Sequence, residues 1–233
     1  MKTLLLPALL CLAALAPAAA QDAQLRTVPT FQAINVGTGI ELVLTAGRSQ
    51  RVEVSAATAE YRDRIETTVK NGVLTLRYEK PDGFFSSMDR TNKHLRVAVT
   101  ADELTALSAH SGSEVRTMGD FDAAEFQLDI SSGASVKTDL DTRSLTVRQS
   151  SGSTADVRGR ATTLDVRSSS GASFDAKDLK TERCRAEASS GSSVRVAVKD
   201  DLVAQASSGG SISYVGSPQL TKRTSSGGSV SGR

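Results

Sequence analysis

Hydrophobic and polar residues alternate along most of this chain, and the alternation predicts β-strands rather than helices. In the second half, apolar residues occur at every second position of these segments, and the residue between two of them is polar or charged. A period of two places successive side chains on opposite faces of a strand, so these segments should each bury one face. The paired apolar positions include Phe126/Leu128, Leu145/Val147, Leu164/Val166, Cys184/Ala186 and Leu202/Ala204.

A Ser-Gly dipeptide follows each of these segments, so the strand pattern is itself repeated. Seven such dipeptides recur at a nearly constant spacing of roughly 18–21 residues, the kind of fixed period that marks a repeat architecture. A small residue follows each glycine, and an apolar residue lies three positions after it. Repeats of this kind indicate units that bury their apolar sides against one another. The glycines are Gly112, Gly133, Gly152, Gly171, Gly191, Gly209 and Gly227.

Each unit is interpreted as a strand, a tight Ser-Ser-Gly bend, a second strand and a loop. This content fits one coil of a β-helix, so the fold class predicted is an all-β solenoid, with one coil for each unit of the repeat. Glycine permits a positive φ at the bend, and stacked serines can hydrogen-bond the bend's backbone. The serine ladder is therefore interpreted first as corner chemistry. The alternative is a hydroxyl array that contacts sugars or a mineral surface.

Residues 31–108 lack the serine ladder but still contain several strand patterns. Asn71-Gly72 predicts a hairpin turn between two strands, and residues 57–64 could form a short helix. We expect this part to cap the solenoid or to supply its first irregular coils. The predicted organisation is a linker over 21–30 and one domain over 31–230, with the cap over 31–108 and repeat coils over 109–230.

Two adjacent aromatic residues, Phe84 and Phe85, lie in a turn-rich segment between predicted strands. They could form a contact loop for a partner. The favoured interpretation is that they fold back over the cap, since exposed apolar pairs are costly.

Residues 1–20 have the pattern of a secretory signal peptide. Lys2 precedes an apolar run over 4–16, and small residues end the segment. The run is too short to span a membrane, and no later stretch is long and apolar enough. The predicted location is therefore periplasmic, cell-surface or extracellular. The full chain has a formal net charge of +2, and Lys2 is the only charge in residues 1–20. The rest of the chain is therefore almost neutral overall, which argues against a nucleic-acid binder.

Cysteine and histidine are scarce, which limits the chemistry that the chain can carry. Without the signal segment, Cys184 is the single cysteine, and it occupies a leucine position of the repeat. It is interpreted as a small buried hydrophobe, with a reactive thiol or intermolecular bridge as the alternative. His94 and His110 are the only histidines, and no metal-ligand, cofactor-binding or catalytic motif is present. No catalytic, cofactor or metal residue is predicted.

Several aspartates alternate with arginines at outward strand positions. Opposite charges on neighbouring coils are expected on a solvated face. The rival interpretation is a groove that cleaves carbohydrate, although such a site needs paired carboxylates or a base beside bound calcium. The aspartates concerned are Asp129, Asp156, Asp165 and Asp175.

Taken in order, these features resemble the auto-transporter adhesin head family, whose unit is called the GIN domain. The matching positions are Phe31, Ile34, Val36, Gly37, Gly39 and Ile40, then residues 73–76, the Ser-Gly series and residues 212–216. The resemblance covers residues 31–230. It implies an exported β-helical protein, suggests surface adhesion and carries over no catalytic residue.

The function expected is an exported, non-catalytic, adhesin-like protein that binds a surface glycan or a protein partner. The first alternative is a carbohydrate-active lyase or hydrolase on the same fold. The second is a structural component of the cell envelope that binds its own kind through the solenoid ends.

Overall fold

The structure is a computed structural model that describes residues 23–80, 92–119 and 121–232. Within these ranges, seventeen strands form one continuous sheet that winds into a solenoid, accompanied by one short helix. The predicted all-β solenoid, with one coil for each unit of the repeat, is confirmed. The elements are β1 (Gln24–Arg26), β2 (Ala33–Val36), β3 (Glu41–Ala46), β4 (Arg51–Ser55), α1 (Ala59–Asp63), β5 (Ile65–Lys70), β6 (Val73–Tyr78), β7 (Arg96–Ala101), β8 (Ala106–Ala109), β9 (Glu114–Met118), β10 (Phe121–Ile130), β11 (Ser135–Gln149), β12 (Thr154–Ser168), β13 (Ser173–Ala188), β14 (Ser193–Ala206), β15 (Ser211–Val215), β16 (Gln219–Thr224) and β17 (Ser229–Gly232).

Successive coils pair in parallel, so equivalent residues of the repeat stack on one another. Strand β11 pairs with β12 without any shift in register, which places Leu145 on Leu164 and Val147 on Val166. The columns continue into β13 and β14, where Cys184 lies between Leu164 of β12 and Leu202 of β14. The inward positions are buried because the alternation of each coil is in phase with the next.

The repeat coils contain more strand than the sequence predicts. Where a loop was expected between coils, β11 to β14 run on for 14 to 16 residues each. The charged segment of each coil, such as residues 139–143, resembles a loop in composition. Its backbone nonetheless pairs with the next coil, and that pairing keeps it extended. The loop prediction is therefore wrong for these coils, and a second corner lies inside each long strand.

At the N-terminal end, the order of strands in space differs from their order in the chain. Strand β2 lies between β6 and β8, and β3 lies between β7 and β9, all in parallel. The antiparallel strands β4 and β5 then cover β7 and β6, and β1 lies beside β4. The predicted hairpin at Asn71-Gly72 is confirmed, and α1 falls within the predicted helical segment.

Candidate ligand-binding groove

Each Ser-Gly dipeptide lies at a corner of the solenoid where the backbone turns through two left-handed residues. At one corner φ is 56° at Ser151 and 67° at Gly152, and Ser153 N donates to Ser150 O at 3.3 Å. Positive φ at both central residues is the pattern of a type I′ turn. The small residue after the glycine is buried, and at Ser153 its hydroxyl donates back to the carbonyl of Ser150 at 2.8 Å. The turn therefore needs glycine at one position and a small residue at the next.

The corners are joined by one hydrogen bond per coil, so they form a continuous column. The amide of Gly133 donates to the carbonyl of Ser151 at 3.0 Å, and Gly152 repeats the bond to Ser170. The same bond recurs from Gly112, Gly171, Gly191 and Gly209 to the serine of the following coil, and Gly227 lies at the last corner of the column.

Thr38-Gly39 is a further corner of this column, and the sequence pattern did not assign it. Gly39 N donates to Ser111 O at 3.0 Å, and φ is positive at both Thr38 and Gly39. The repeat template fits here too, because Leu42 lies three positions after the glycine. Threonine replaces serine, and a stretch of chain several coils long separates this glycine from Gly112, so the constant period hides it.

A polar groove runs along the solenoid beside the corner column. Its floor is formed by the outward residues at the ends of β10 to β13, and its cavity volume is 440 Å³. One side chain per coil faces it, in the register Asp129, Arg148, Arg167 and Glu187. The first serine of each corner lines the other side, so that charged groups and hydroxyls face each other. These serines are Ser131, Ser150, Ser169 and Ser189.

A second depression continues this line toward the C-terminal coils. Gln205 and Arg223 take the next two places in the charged row, and Ser207 and Ser225 extend the serine row. We refer to the two depressions together as the polar groove. Six rows at the usual strand spacing make it about 24 Å long. The solenoid thus presents one set of polar groups per coil along a line.

The arginines at the centre of the polar groove have only loose ion pairs. Arg148 lies 3.7 Å from Asp129, and Arg167 lies 3.6 Å from Glu187. Arg167 is also 3.7 Å from Asp165. Both side chains are more than half exposed. Exposed pairs at such distances contribute little to folding stability.

Of the carboxylates proposed for a carbohydrate-cleaving site, Asp129 lines the polar groove, and Asp165 lies beside it with Arg167 Nε between Asp165 and Glu187, at 3.7 Å and 3.6 Å. Asp129 and Glu187 are three coils apart, about 14 Å by strand spacing, which exceeds the roughly 5–10 Å that glycoside cleavage requires. Asp156 and Asp175 lie opposite each other on the strands that follow the corner. Each accepts a hydrogen bond at 3.2 Å, one from Arg158 and the other from Arg195.

His110 occupies a serine position at one end of the groove. Its ring packs against Gly37, where a Cβ atom would come within 2.2 Å of the ring. Nδ1 lies 3.0 Å from the Ser111 hydroxyl, so the ring is held by packing and one hydrogen bond. Among the described residues, no group of three potential metal ligands is found.

Cys184 lies inside the solenoid, away from the groove. Its side chain packs between Leu164 and Leu202, and the residue is 4% exposed. Burial raises the pKa of the thiol to about 12, and the nearby charge of Asp165 adds to the effect. The thiolate is thus strongly disfavoured at neutral pH.

A second groove, of 710 Å³, follows the opposite corner of the solenoid. It is more apolar, since Ala161, Val198 and the 48% exposed Val215 line it. Arg160 and Lys180 lie opposite each other here, without an ion-pair partner among the described residues. This surface is called the apolar groove below.

The predicted contact loop with Phe84 and Phe85, and the predicted signal peptide over 1–20, lie outside the described residues. Within the described ranges, none of the helices has the length and hydropathy that crossing a bilayer demands.

The parallel coils, the stacked corners and the open polar groove define a β-solenoid with a candidate binding surface on one side. Residues 30–218 match the family model described as "Putative auto-transporter adhesin, head GIN domain", and the chain belongs to this family. Family membership suggests an adhesin-like role and a surface or exported location. No curated protein matches the sequence.

Solved structures from two bacterial genera share the fold. A "putative adhesin" from Bacteroides fragilis is 17% identical, with a TM-score of 0.76 over 91% of this chain and 96% of that one. A "putative adhesin" from Parabacteroides distasonis is 16% identical, with a TM-score of 0.69 and the same coverage. A "Putative lipid binding protein" from the same species is 14% identical, with a TM-score of 0.66 and again the same coverage. At these identities the likeness establishes the fold.

Proposed function

We propose that this protein is an exported, non-catalytic, adhesin-like module that binds a surface glycan along the polar groove. The observation that carries the proposal is the repetition of one charged or amide side chain and one serine per coil over six rows. A ligand that fits such a row is itself a linear polymer with similar groups in each unit.

Glycans meet this description because every sugar carries several hydroxyl groups. Carboxylates such as Asp129 accept hydrogen bonds, guanidinium groups donate them, and serine hydroxyls do both. The coil spacing is also close to the length of one sugar ring in an extended chain. Successive sugars could therefore meet successive rows, and many weak contacts would add up to a useful affinity.

The polar groove supports binding better than cleavage. Its two carboxylates, Asp129 and Glu187, are three coils apart, and Arg167 contacts both Asp165 and Glu187. The opposed pair Asp156 and Asp175 lies on another face, where arginines contact both groups. Residues 1–20 would direct export and so bring the groove to the cell exterior or periplasm. An open surface groove of this kind suits an adhesin.

The proposal is tested by binding residues 21–233 to an array of bacterial and host glycans. Ser169→Tyr would place a ring in the middle of the polar groove, and should reduce binding by at least about tenfold. Ser173→Tyr is the matched control, since Ser173 is exposed on the other side of the same corner. Absence of binding to any glycan, or equal loss in both variants, would contradict the proposal.

A further inference from the structure

Two arginines lie side by side at the centre of the polar groove. Arg148 of β11 and Arg167 of β12 are direct partners in the parallel register, so their Cα atoms are about 5 Å apart. Like charges placed opposite each other on neighbouring strands are destabilising. Both side chains are 56% exposed, and they project into a cavity rather than onto a flat face. Among the described residues, only the loose ion pairs with Asp129, Asp165 and Glu187 offset this repulsion, so an anion shared by the two guanidinium groups would stabilise the arrangement further.

The guanidinium N–H groups of these two arginines are also available to a ligand. Neither guanidinium forms a hydrogen bond with any described residue, and their carboxylate neighbours remain 3.6 Å or more away. Some arginines elsewhere on the coils form close hydrogen bonds instead. Arg158 donates to Asp156 at 3.2 Å, and Arg185 donates to Glu187 at 2.6 Å. The groove arginines therefore retain their N–H groups for a ligand.

In the charged row of the groove, Arg148 and Arg167 are the one pair of neighbouring arginines. Asp129 precedes the arginines and Glu187 follows them, while serines line the opposite wall. A guanidinium fork matches a carboxylate or a sulfate in a bidentate geometry. The carboxylates of Asp129 and Glu187 repel an anion from either end of the arginine pair, and Asp165 repels it from the side of Arg167. The favoured position for negative charge is therefore between the two arginines.

We propose that the ligand of the polar groove is an acidic polysaccharide, with the carboxylate or sulfate of one sugar held between Arg148 and Arg167. This inference rests on the proposed function. The serine wall contacts the hydroxyl groups of the same polymer.

The apolar groove contains a second pair of basic residues that serves as a control for Arg148 and Arg167. Arg160 and Lys180 are also opposed in register and also lack an ion-pair partner among the described residues. Their surroundings mix aliphatic residues, including Ala161, Val198 and Val215, with the acidic residues Asp141 and Glu182, and they lie away from the serine row of the polar groove. Neutralising this pair changes the net charge of the protein by the same amount, but leaves the polar groove intact.

The experiment measures the binding of residues 21–233 to two matched pairs of polymers by isothermal calorimetry. Polygalacturonate is compared with its methyl ester, and dextran sulfate with dextran, so carboxylate and sulfate are tested separately. We expect at least one acidic polymer to bind more tightly than its neutral counterpart. Binding should weaken as salt is raised, because exposed charges are screened. The double variant Arg148→Gln/Arg167→Gln should lose about tenfold or more in affinity. Arg160→Gln/Lys180→Gln should bind like the parent.

The outcomes separate this inference from the proposed function. If neutral and acidic polymers bind equally and the groove variant has no effect, the acidic ligand is wrong and a glycan groove remains. If both double variants weaken binding alike, net charge rather than the arginine pair is responsible, and the inference is overturned. If no polymer here and no glycan on the array binds, the proposed function fails as well. Circular dichroism of both variants establishes that they are folded.

Discussion

At the scale of single residues, alternation decides which side chains enter the solenoid. Val166 is fully buried in the column between Val147 and Ala186, whereas the next residue, Arg167, faces the polar groove. A carboxylate at Val166 would be buried without a partner, so Val166→Asp should lower the free energy of unfolding by about 3 kcal/mol or more.

The control for this prediction is the adjacent outward residue. Arg167→Ser removes only exposed, loosely paired charge and should change the free energy of unfolding by less than about 0.5 kcal/mol. Denaturant unfolding of both variants provides the measurement. Equal losses would show that the inward register is misassigned, since a shift of one residue exchanges the two faces.

Burial of Cys184 predicts slow thiol chemistry in the native state. The thiolate is the reactive form, and burial raises the pKa of this thiol to about 12. Native protein comprising residues 21–233 should therefore react slowly with a thiol reagent and remain free of disulfide-linked dimer in air. The unfolded protein should react at once with one equivalent. Fast labelling of the native protein would place the side chain in solvent.

The same thiol predicts a loss of stability at alkaline pH. Its pKa is 9.0 in ordinary surroundings and about 12 in the folded protein, so the unfolded state releases the proton first. Below pH 9 the thiol is protonated in both states and does not change the free energy of unfolding. As the pH rises from 9 toward 12, the unfolded state is stabilised by deprotonation and the free energy of unfolding falls. Cys184→Ala is the control, because other groups also titrate in this range. Unfolding free energy should fall more steeply with pH in the parent, and parallel curves would contradict the prediction.

At the scale of elements, two kinds of glycine shape the corners. Gly152 needs its positive φ of 67°, but a Cβ atom there would meet nothing within 4 Å. Gly159, at the second corner inside β12, has a φ of 105°, and a Cβ atom would lie 2.1 Å from the carbonyl oxygen of Leu140. The second glycine therefore allows two coils to approach each other.

This difference predicts unequal costs for the same substitution. Gly152→Ala should lower unfolding free energy by about 1 kcal/mol, from backbone strain alone. Gly159→Ala must in addition push apart two paired strands, and should cost about 3 kcal/mol or more. Thermal unfolding of the two variants makes the comparison. A larger loss at Gly152 would show that the close approach at Gly159 is misplaced.

At the scale of the whole molecule, the coils differ in how much they bury. The middle coils, β11 to β13, pair on both sides and bury their inward columns, whereas all six residues of β16 are exposed. In a solenoid each coil is stabilised mainly by its neighbours, so opening should begin where a neighbour is absent from the pairing.

Amide hydrogen exchange, followed by mass spectrometry, tests this gradient. Peptides from β16 and β17 should exchange first, and peptides from β12 and β13 last. Uniform protection along all coils would indicate that the solenoid unfolds as one cooperative block. The prediction concerns order rather than rate, since the absolute rates depend on overall stability.

The sequence by itself determined the repeated unit and its inward side. Ser-Gly spacing and two-residue alternation place Val166 and Cys184 inside and Arg167 outside, because these depend on local backbone geometry and on phase within one coil. The Asn71-Gly72 hairpin followed for the same reason, since its turn is encoded by two adjacent residues.

The tertiary structure alone decided what depends on distant segments meeting. Thr38-Gly39 joins the corner column only because β2 and β3 pair with strands that lie much later in the chain. The charged segment over 139–143 stays extended because the next coil pairs with it. The polar groove likewise exists only once Arg148 and Arg167, which belong to successive coils, stack in register. Side-chain alternation does not specify which coils are neighbours. Hydrogen bonds between the backbones of different coils determine this.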